Sequence, residues 1–323
     1  MLFNYLKLCR FNSLGTTGVL ATAGAVCILG TTFHIQILFL FILGVLGGAA
    51  GMVMNELCDV EVDRRGHHNH NIDKPLVTGE ISIDSAFIFL IFIMFLFFLA
   101  GAYINTQTLP ILVLVTLAGT LYNMYSKQSP LATGFLCMWL FTFILYSAMS
   151  ISLSVPLVVY ILAIYATLDI LMLICEVGDL KDIETDSVNS AKAMGCRIDN
   201  GVLHLSNEYV VIFLGIHISE IYLLVWSTQF FIFNIYIKIL LMILMTAYIG
   251  LHLGQTVYDN HAPYRRERMC RYAILRAFTS LILIAVFLIA IIGIEILILP
   301  LVAICWFFIS NRVLFKRFSR GNW

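Results

Sequence analysis

The chain has 323 residues, of which 61% are hydrophobic and 12% charged, and its mean hydropathy is +0.95. That balance excludes a soluble domain with a hydrated surface and marks an integral membrane protein. The net charge is zero and the charges are divided among loops, which leaves no basic face for a nucleic acid.

The first segment, Met1 to Asn12, carries Lys7 and Arg10 ahead of an apolar run with no convincing cleavage site, so the first span is expected to be retained. Hydropathy and loop punctuation predict spans at Leu14–Gly30, Ile35–Cys58, Ala86–Ala102, Leu109–Tyr125, Ala132–Ser150, Val155–Cys175, Tyr209–Trp226 and Phe231–Val257. Beyond them, Ala273–Phe315 is long enough for two more, folded back on each other near Gly293 and Glu295. The expected fold is all-α, a multi-pass transmembrane bundle of nine or ten helices around a central cavity. It forms one domain over 1–323, with an additional C-terminal span at 295–315.

With the N-terminus placed inside, nearly every basic residue falls on inside segments: Lys7 and Arg10, then Arg64, Arg65 and Lys74, then Lys127, then Lys181, Lys192 and Arg197, then the run from Arg265 to Arg276. Lys and Arg collect on the cytoplasmic side of membrane proteins, so both ends are expected inside. The eight cysteines are scattered without a C-x-x-C pair and read as packing residues. In the second span Gly44, Gly48 and Gly47, Gly51 are spaced as G-x-x-x-G, which lets helices approach closely in lipid.

Two inside loops are long and polar, Asp59–Asp84 and Glu176–Glu208, and both open on acids. At the first, positions four apart on a helix differ by about 40° in azimuth, so Asn55, Asp59 and Asp63 form one stripe of oxygen ligands. In the second, Asp179, Asp182 and Asp186 are spaced to share a helical face in the same way. Carboxylates crowded at a membrane boundary repel one another unless a cation sits among them. Mg²⁺ is the natural candidate, because it takes hard oxygen ligands from a few carboxylates and from phosphate. Two acidic ends facing each other could hold metal ions that bridge a diphosphate.

These motifs resemble those of the UbiA superfamily of intramembrane prenyltransferases. Asn55, Asp59 and Asp63 match its N-D-x-x-D-x-x-x-D motif, with Glu56 where the family usually has Asp; Asp182 and Asp186 match its D-x-x-x-D motif, and Asp179 its preceding Asp. Lys74-Pro75-Leu76-Val77-Thr78-Gly79 looks like the family's R-P-I-P-S-G segment, and Tyr122 to Lys127 looks like the Tyr and Lys that end its fourth helix. The resemblance implies that Asp59, Asp63, Asp179, Asp182 and Asp186 hold Mg²⁺, which binds the diphosphate of a polyprenyl donor. Asp59, Asp63, Asp182 and Asp186 then form the catalytic set, with Asn55, Tyr122, Lys127 and Lys181 binding substrate and Arg64 a further candidate cation. The implied partners are a polyprenyl diphosphate, a hydrophobic acceptor and membrane lipid, with the active site on the cytoplasmic side.

The acceptor stays open between a glycerol phosphate lipid and an aromatic quinone precursor. Two other readings share part of the pattern, a UbiA-type terpene cyclase that captures the cation internally and a cation transporter. The sequence departs from the family in the stretch Arg64–Asn71, whose His67, His68 and His70 read as a polar loop insertion, and in the hydrophobic tail beyond Gly293. Asp169 within the sixth span and Glu220 within the seventh are further intramembrane acids, the first read as a candidate to polarise an acceptor, the second as a structural pairing.

Overall fold

The computed structural model describes residues 1–65, 74–173, 178–184, 188–229, 235–259 and 263–315. A short helix α1 (Leu2–Leu8) and a 3-10 elbow at Phe11–Ser13 lead into α2 (Leu14–Leu29), α3 (Ile35–Arg65), α4 (Ile83–Ile104), α5 (Leu109–Tyr125), α6 (Thr133–Met149) and α7 (Leu157–Met172). After α7 come single-turn helices α8 (Asp179–Lys181) and α9 (Ser190–Ala193) and a hairpin of β1 (Arg197–Asp199) and β2 (Val202–His204). The remaining helices are α10 (Asn207–Ser227), α11 (Ile235–Asp259), α12 (Arg266–Ile292) and α13 (Ile298–Phe315).

Among the described residues, eight helical segments are long and apolar enough to cross a membrane, and Leu157–Met172 and Ile235–Leu251 are shorter apolar helices at the places expected for the sixth and eighth spans. The bundle is therefore the all-α transmembrane architecture that the hydropathy predicts. The tail turns back at Gly293, whose φ of 101° lies in the region that favours glycine, so α12 and α13 are the expected last pair. Helix α12 starts at Arg266, ahead of the predicted Ala273, because the polar Arg-Glu-Arg-Met turn is itself a good helix former and extends the span out of the lipid.

Small residues set the centre of the bundle. A Cβ placed on Gly44 would lie 2.5 Å from the Ala21 methyl and 2.6 Å from the Thr17 carbonyl oxygen, and one on Gly47 would lie 2.7 Å from the Phe97 ring. Gly44 and Gly48 thus bring α3 onto α2, while Gly47 seats α4. Gly51 differs, with open space where its side chain would be. Helix α2 also packs against α6 and α13, and beside it lies a small apolar cleft of about 30 Å³ lined by residues such as Ala23, Ile144, Ala166, Ala285 and Pro300.

A layer of charge crosses the other half of the bundle. Asp169 of α7 accepts a hydrogen bond from the Tyr248 hydroxyl of α11 at 3.0 Å and lies 3.8 Å from the Arg276 guanidinium of α12. Arg276 is 1% exposed and sits over the Tyr248 ring, which also meets His217 of α10, itself 3.2 Å from Glu220. His217, Tyr248 and Arg276 each sit about 15 Å along the helix from Asn207, Asp259 and Arg266, so Arg276 lies within the span and not, as expected, on the inside segment before it. Asp169 is therefore committed to a helix-joining ion pair, and Glu220 has the structural pairing that its position suggested.

At the inner end, Asn200 and Gly201 both have positive φ and form the two-residue turn of the β1–β2 hairpin. The Gly201 carbonyl accepts from the Tyr264 amide at 2.8 Å, which ties the hairpin to the start of α12.

Two stability measurements follow from this packing. Gly44→Ala should lower the unfolding free energy of the purified protein by about 1–3 kcal/mol, as expected for overpacking, whereas Gly51→Ala should leave it nearly unchanged. Arg276→Met should cost about 3 kcal/mol by stranding Asp169, and the double variant with Asp169→Asn should recover most of that loss. Equal unfolding midpoints for the single and double variants would show that the pair carries no such coupling.

Candidate active site

Helix α3 is unusually long: its 31 residues span about 46 Å, well beyond the roughly 30 Å of a hydrocarbon core. Its last turns therefore project from the lipid while remaining helical, and this is what makes Asn55, Asp59 and Asp63 a real stripe. The Asn55 amide donates to Asp59 at 3.2 Å, one turn on. Asp59 is 8% exposed.

Three cations from other parts of the chain face this helix end. Lys74 follows the loop after α3 and opens a compact turn in which the Val77 and Thr78 amides bond back to its own carbonyl. Its ammonium lies 2.5 Å from Asp63 and 3.7 Å from Glu56. Arg64 holds that turn down by donating to the Leu76 carbonyl at 3.2 Å, and its other contact is with exposed Glu61 at 3.4 Å. Its role here is to hold the turn rather than to face the stripe. Lys127 lies just past α5, where its charge acts on Asp59, and the neighbouring Asn123 fixes α5 to α3 by donating to the Gly51 carbonyl at 3.2 Å. Tyr122 is half-buried one turn earlier on the same helix.

The third cation is Arg10, which the sequence presented only as a topological charge. Its guanidinium grips Glu56 through Nη2 at 2.7 Å and Nε at 3.1 Å, and reaches Asn55 Oδ1 at 3.4 Å. Burial works against the charge on Arg10, and the facing Glu56, aided by Asp59 and Asp63, outweighs it and holds the pKa above its usual value. The residue has φ 46° and ψ 52°, a left-handed backbone that costs a non-glycine residue roughly 1 kcal/mol. Burial pushes the thiol of its neighbour Cys9 up to about 12. The signal for the Arg10 contact was Glu56 itself. It is 4% exposed and lies at helical spacing from buried Val53 and Val60, where a carboxylate requires a positive partner.

The second acidic set is built differently from its spacing. Helix α8 lasts a single turn, Asp179 to Lys181, and Asp182 begins a turn that runs to Glu184, so Asp179 and Asp182 do not continue along one helix. The Asp179 carboxylate caps α9 by accepting from the Ser190 amide at 2.8 Å, and its carbonyl accepts from Asn189 at 3.1 Å. Helix α9 in turn packs on the 3-10 turn Pro130–Ala132, shortly after Lys127. Asp186, Glu176 and His67, His68 and His70 lie outside the described residues, as does the Lys181 side chain.

Among the described residues, no three His, Cys, Asp or Glu side chains form a closed metal cage. The donors nevertheless suit Mg²⁺, which binds through one or two carboxylates and completes its shell with water and phosphate oxygens. Asp59 and Asp63 are hard oxygen donors one turn apart on the same helix, and Lys74 and Lys127 beside them carry the kind of charge a diphosphate attracts.

Comparison with known proteins shows the family and the fold. The family model described as the UbiA prenyltransferase family matches residues 18–264. No curated protein sequence matches. Among solved structures, a digeranylgeranylglyceryl phosphate synthase studied in membranes is similar with a TM-score of 0.67 at 20% identity, covering 91% of this chain and 99% of its own. A UbiA homologue from Archaeoglobus fulgidus bound to GPP and Mg²⁺ has a TM-score of 0.64 at 19% identity, covering 90% of this chain and 100% of its own. The apo UbiA homologue from Aeropyrum pernix K1 has a TM-score of 0.63 at 18% identity, covering 85% and 96%. A family match over most of the chain, carried by a bundle of the same fold, places this protein in the UbiA prenyltransferase family.

Proposed function

We propose that this prenyltransferase moves a polyprenyl group from its diphosphate to a lipid-soluble acceptor, in a Mg²⁺-dependent reaction at the inner end of α3. The observation that supports the reading is the acidic end of α3, where Lys74 and Lys127 act on Asp63 and Asp59, together with the packing of α9, to which the Asp179 carboxylate is bonded, on the turn that follows Lys127. Asp59 and Asp63, with Asp179, Asp182 and Asp186 opposite, are the residues that would hold the metal. Mg²⁺, when bound, supplies charge neutralisation for the departing diphosphate.

The chain's own groups do the rest. Lys127 and Lys181, with Tyr122 and Asn55, bind and orient the diphosphate at the lipid boundary. The prenyl chain then extends into hydrocarbon, where no water competes with the acceptor for the allylic carbon. The C1–oxygen bond to the diphosphate breaks, the carbon takes up positive charge, and the acceptor nucleophile forms the new bond and releases its proton. The acceptor is a glycerol phosphate lipid or an aromatic quinone precursor. The whole of 1–323 works as one transmembrane domain. The weight of Lys and Arg on the same side as both acidic sets supports an active site facing the cytoplasm.

Asp59→Ala and Asp182→Ala should each abolish Mg²⁺-dependent transfer, a loss of at least about 10³-fold, while the purified variants keep the wild-type helical signal. Mass spectrometry of products from a panel of prenyl diphosphates, offered with glycerol phosphate and aromatic acceptors, identifies the pair used. A cyclised product formed without any acceptor would instead establish the terpene cyclase reading, and unchanged turnover in both variants would remove the metal-diphosphate site altogether.

A further inference from the structure

We infer that Arg10 is the positioning residue of the first acidic stripe and that α13 fixes its backbone in place. This rests on the reading of that stripe as a metal-diphosphate site. The elbow that carries Arg10 and the helix α13 both lie outside the segment, 18–264, that matches the family model. They are nonetheless joined to each other and to the site.

On one side, the elbow is held by α13. The Trp306 indole N–H donates to the Phe11 carbonyl at 2.7 Å, the Trp306 ring packs 4.8 Å from that of Phe11, and Asn12 donates to Asn311 at 3.2 Å in a fully buried contact. Within the elbow, the Ser13 amide and hydroxyl both bond the Arg10 carbonyl, at 2.8 Å and 2.9 Å. These bonds hold the residue in its left-handed conformation. A flexible arm would have no reason to keep it there.

On the other side, Arg10 dictates what Asn55 does. A guanidinium has donors and no acceptor, so the Asn55 amide must turn its oxygen toward Arg10, and its NH₂ is then aimed at Asp59. The fork on Glu56 fixes the guanidinium while this happens. Arg10 therefore acts through Asn55 on Asp59, and through Glu56 on the end of α3. Lysine keeps the charge but has no planar fork with which to hold Glu56 and Asn55 together.

The test uses full-length protein in detergent and Mg²⁺ with inorganic pyrophosphate as the probe, with binding measured by calorimetry. Arg10→Lys and Trp306→Phe leave every charge in place. The expected result is that Arg10→Lys weakens pyrophosphate binding about tenfold, as for other residues that orient a metal ligand, and that Trp306→Phe weakens it about threefold. If Arg10→Lys does not fold, judged by circular dichroism, Trp306→Phe decides alone. Wild-type affinity in the folded variants overturns the inference. Failure of the wild type itself to bind Mg²⁺ and pyrophosphate overturns the reading of the site, and the inference with it.

Discussion

Carboxylates at the edge of a hydrocarbon layer require counter-charge, and the inner end of this bundle is arranged around that requirement. Glu56, Asp59 and Asp63 project from one helix end, and Arg10, Lys74 and Lys127 reach them from three separate parts of the chain. Partly buried pairs of this kind add little net stability, because desolvation offsets much of their attraction. What they supply is geometry. Each pair fixes one segment of chain against the end of α3: the N-terminal elbow, the turn after Lys74, and the loop after α5.

The length of α3 is the second condition. A helix that ended with the lipid at Cys58 would leave Asp59 and Asp63 on an irregular loop with no common face. Its continuation to Arg65 follows from the residues beyond the span, Asp59-Val60-Glu61-Val62-Asp63-Arg64-Arg65, which contain neither Gly nor Pro and offer Glu61 and Arg64 at helical spacing. The close seat of α3 on α2, set by Gly44 and Gly48, then directs the stripe inward.

Much of this was legible in the sequence. Spans, their order and the turn at Gly293 are written in hydropathy, because lipid demands continuous apolar helices. The stripe on α3 was legible because helical periodicity converts spacing into a shared face. The same inference does not carry over to Asp179 and Asp182, where the helix that holds Asp179 ends at Lys181, Asp182 lies in the turn after it, and the Asp179 carboxylate accepts from the Ser190 amide. Glu56 signals that it needs a positive partner, but which distant segment supplies one was not legible. Nothing near Arg10 names Glu56, and nothing near Asp169 names Tyr248 or Arg276, since such pairings are decided by tertiary packing and not by local pattern.

The clasp between Asn12 and Asn311 joins positions 299 residues apart. During synthesis the N-terminal arm emerges long before the last hydrophobic segment can be inserted beside it. The elbow must therefore wait, and with it the final set of the acidic helix end, until translation of the closing helix is complete. The bundle is thereby closed between its first and last described segments.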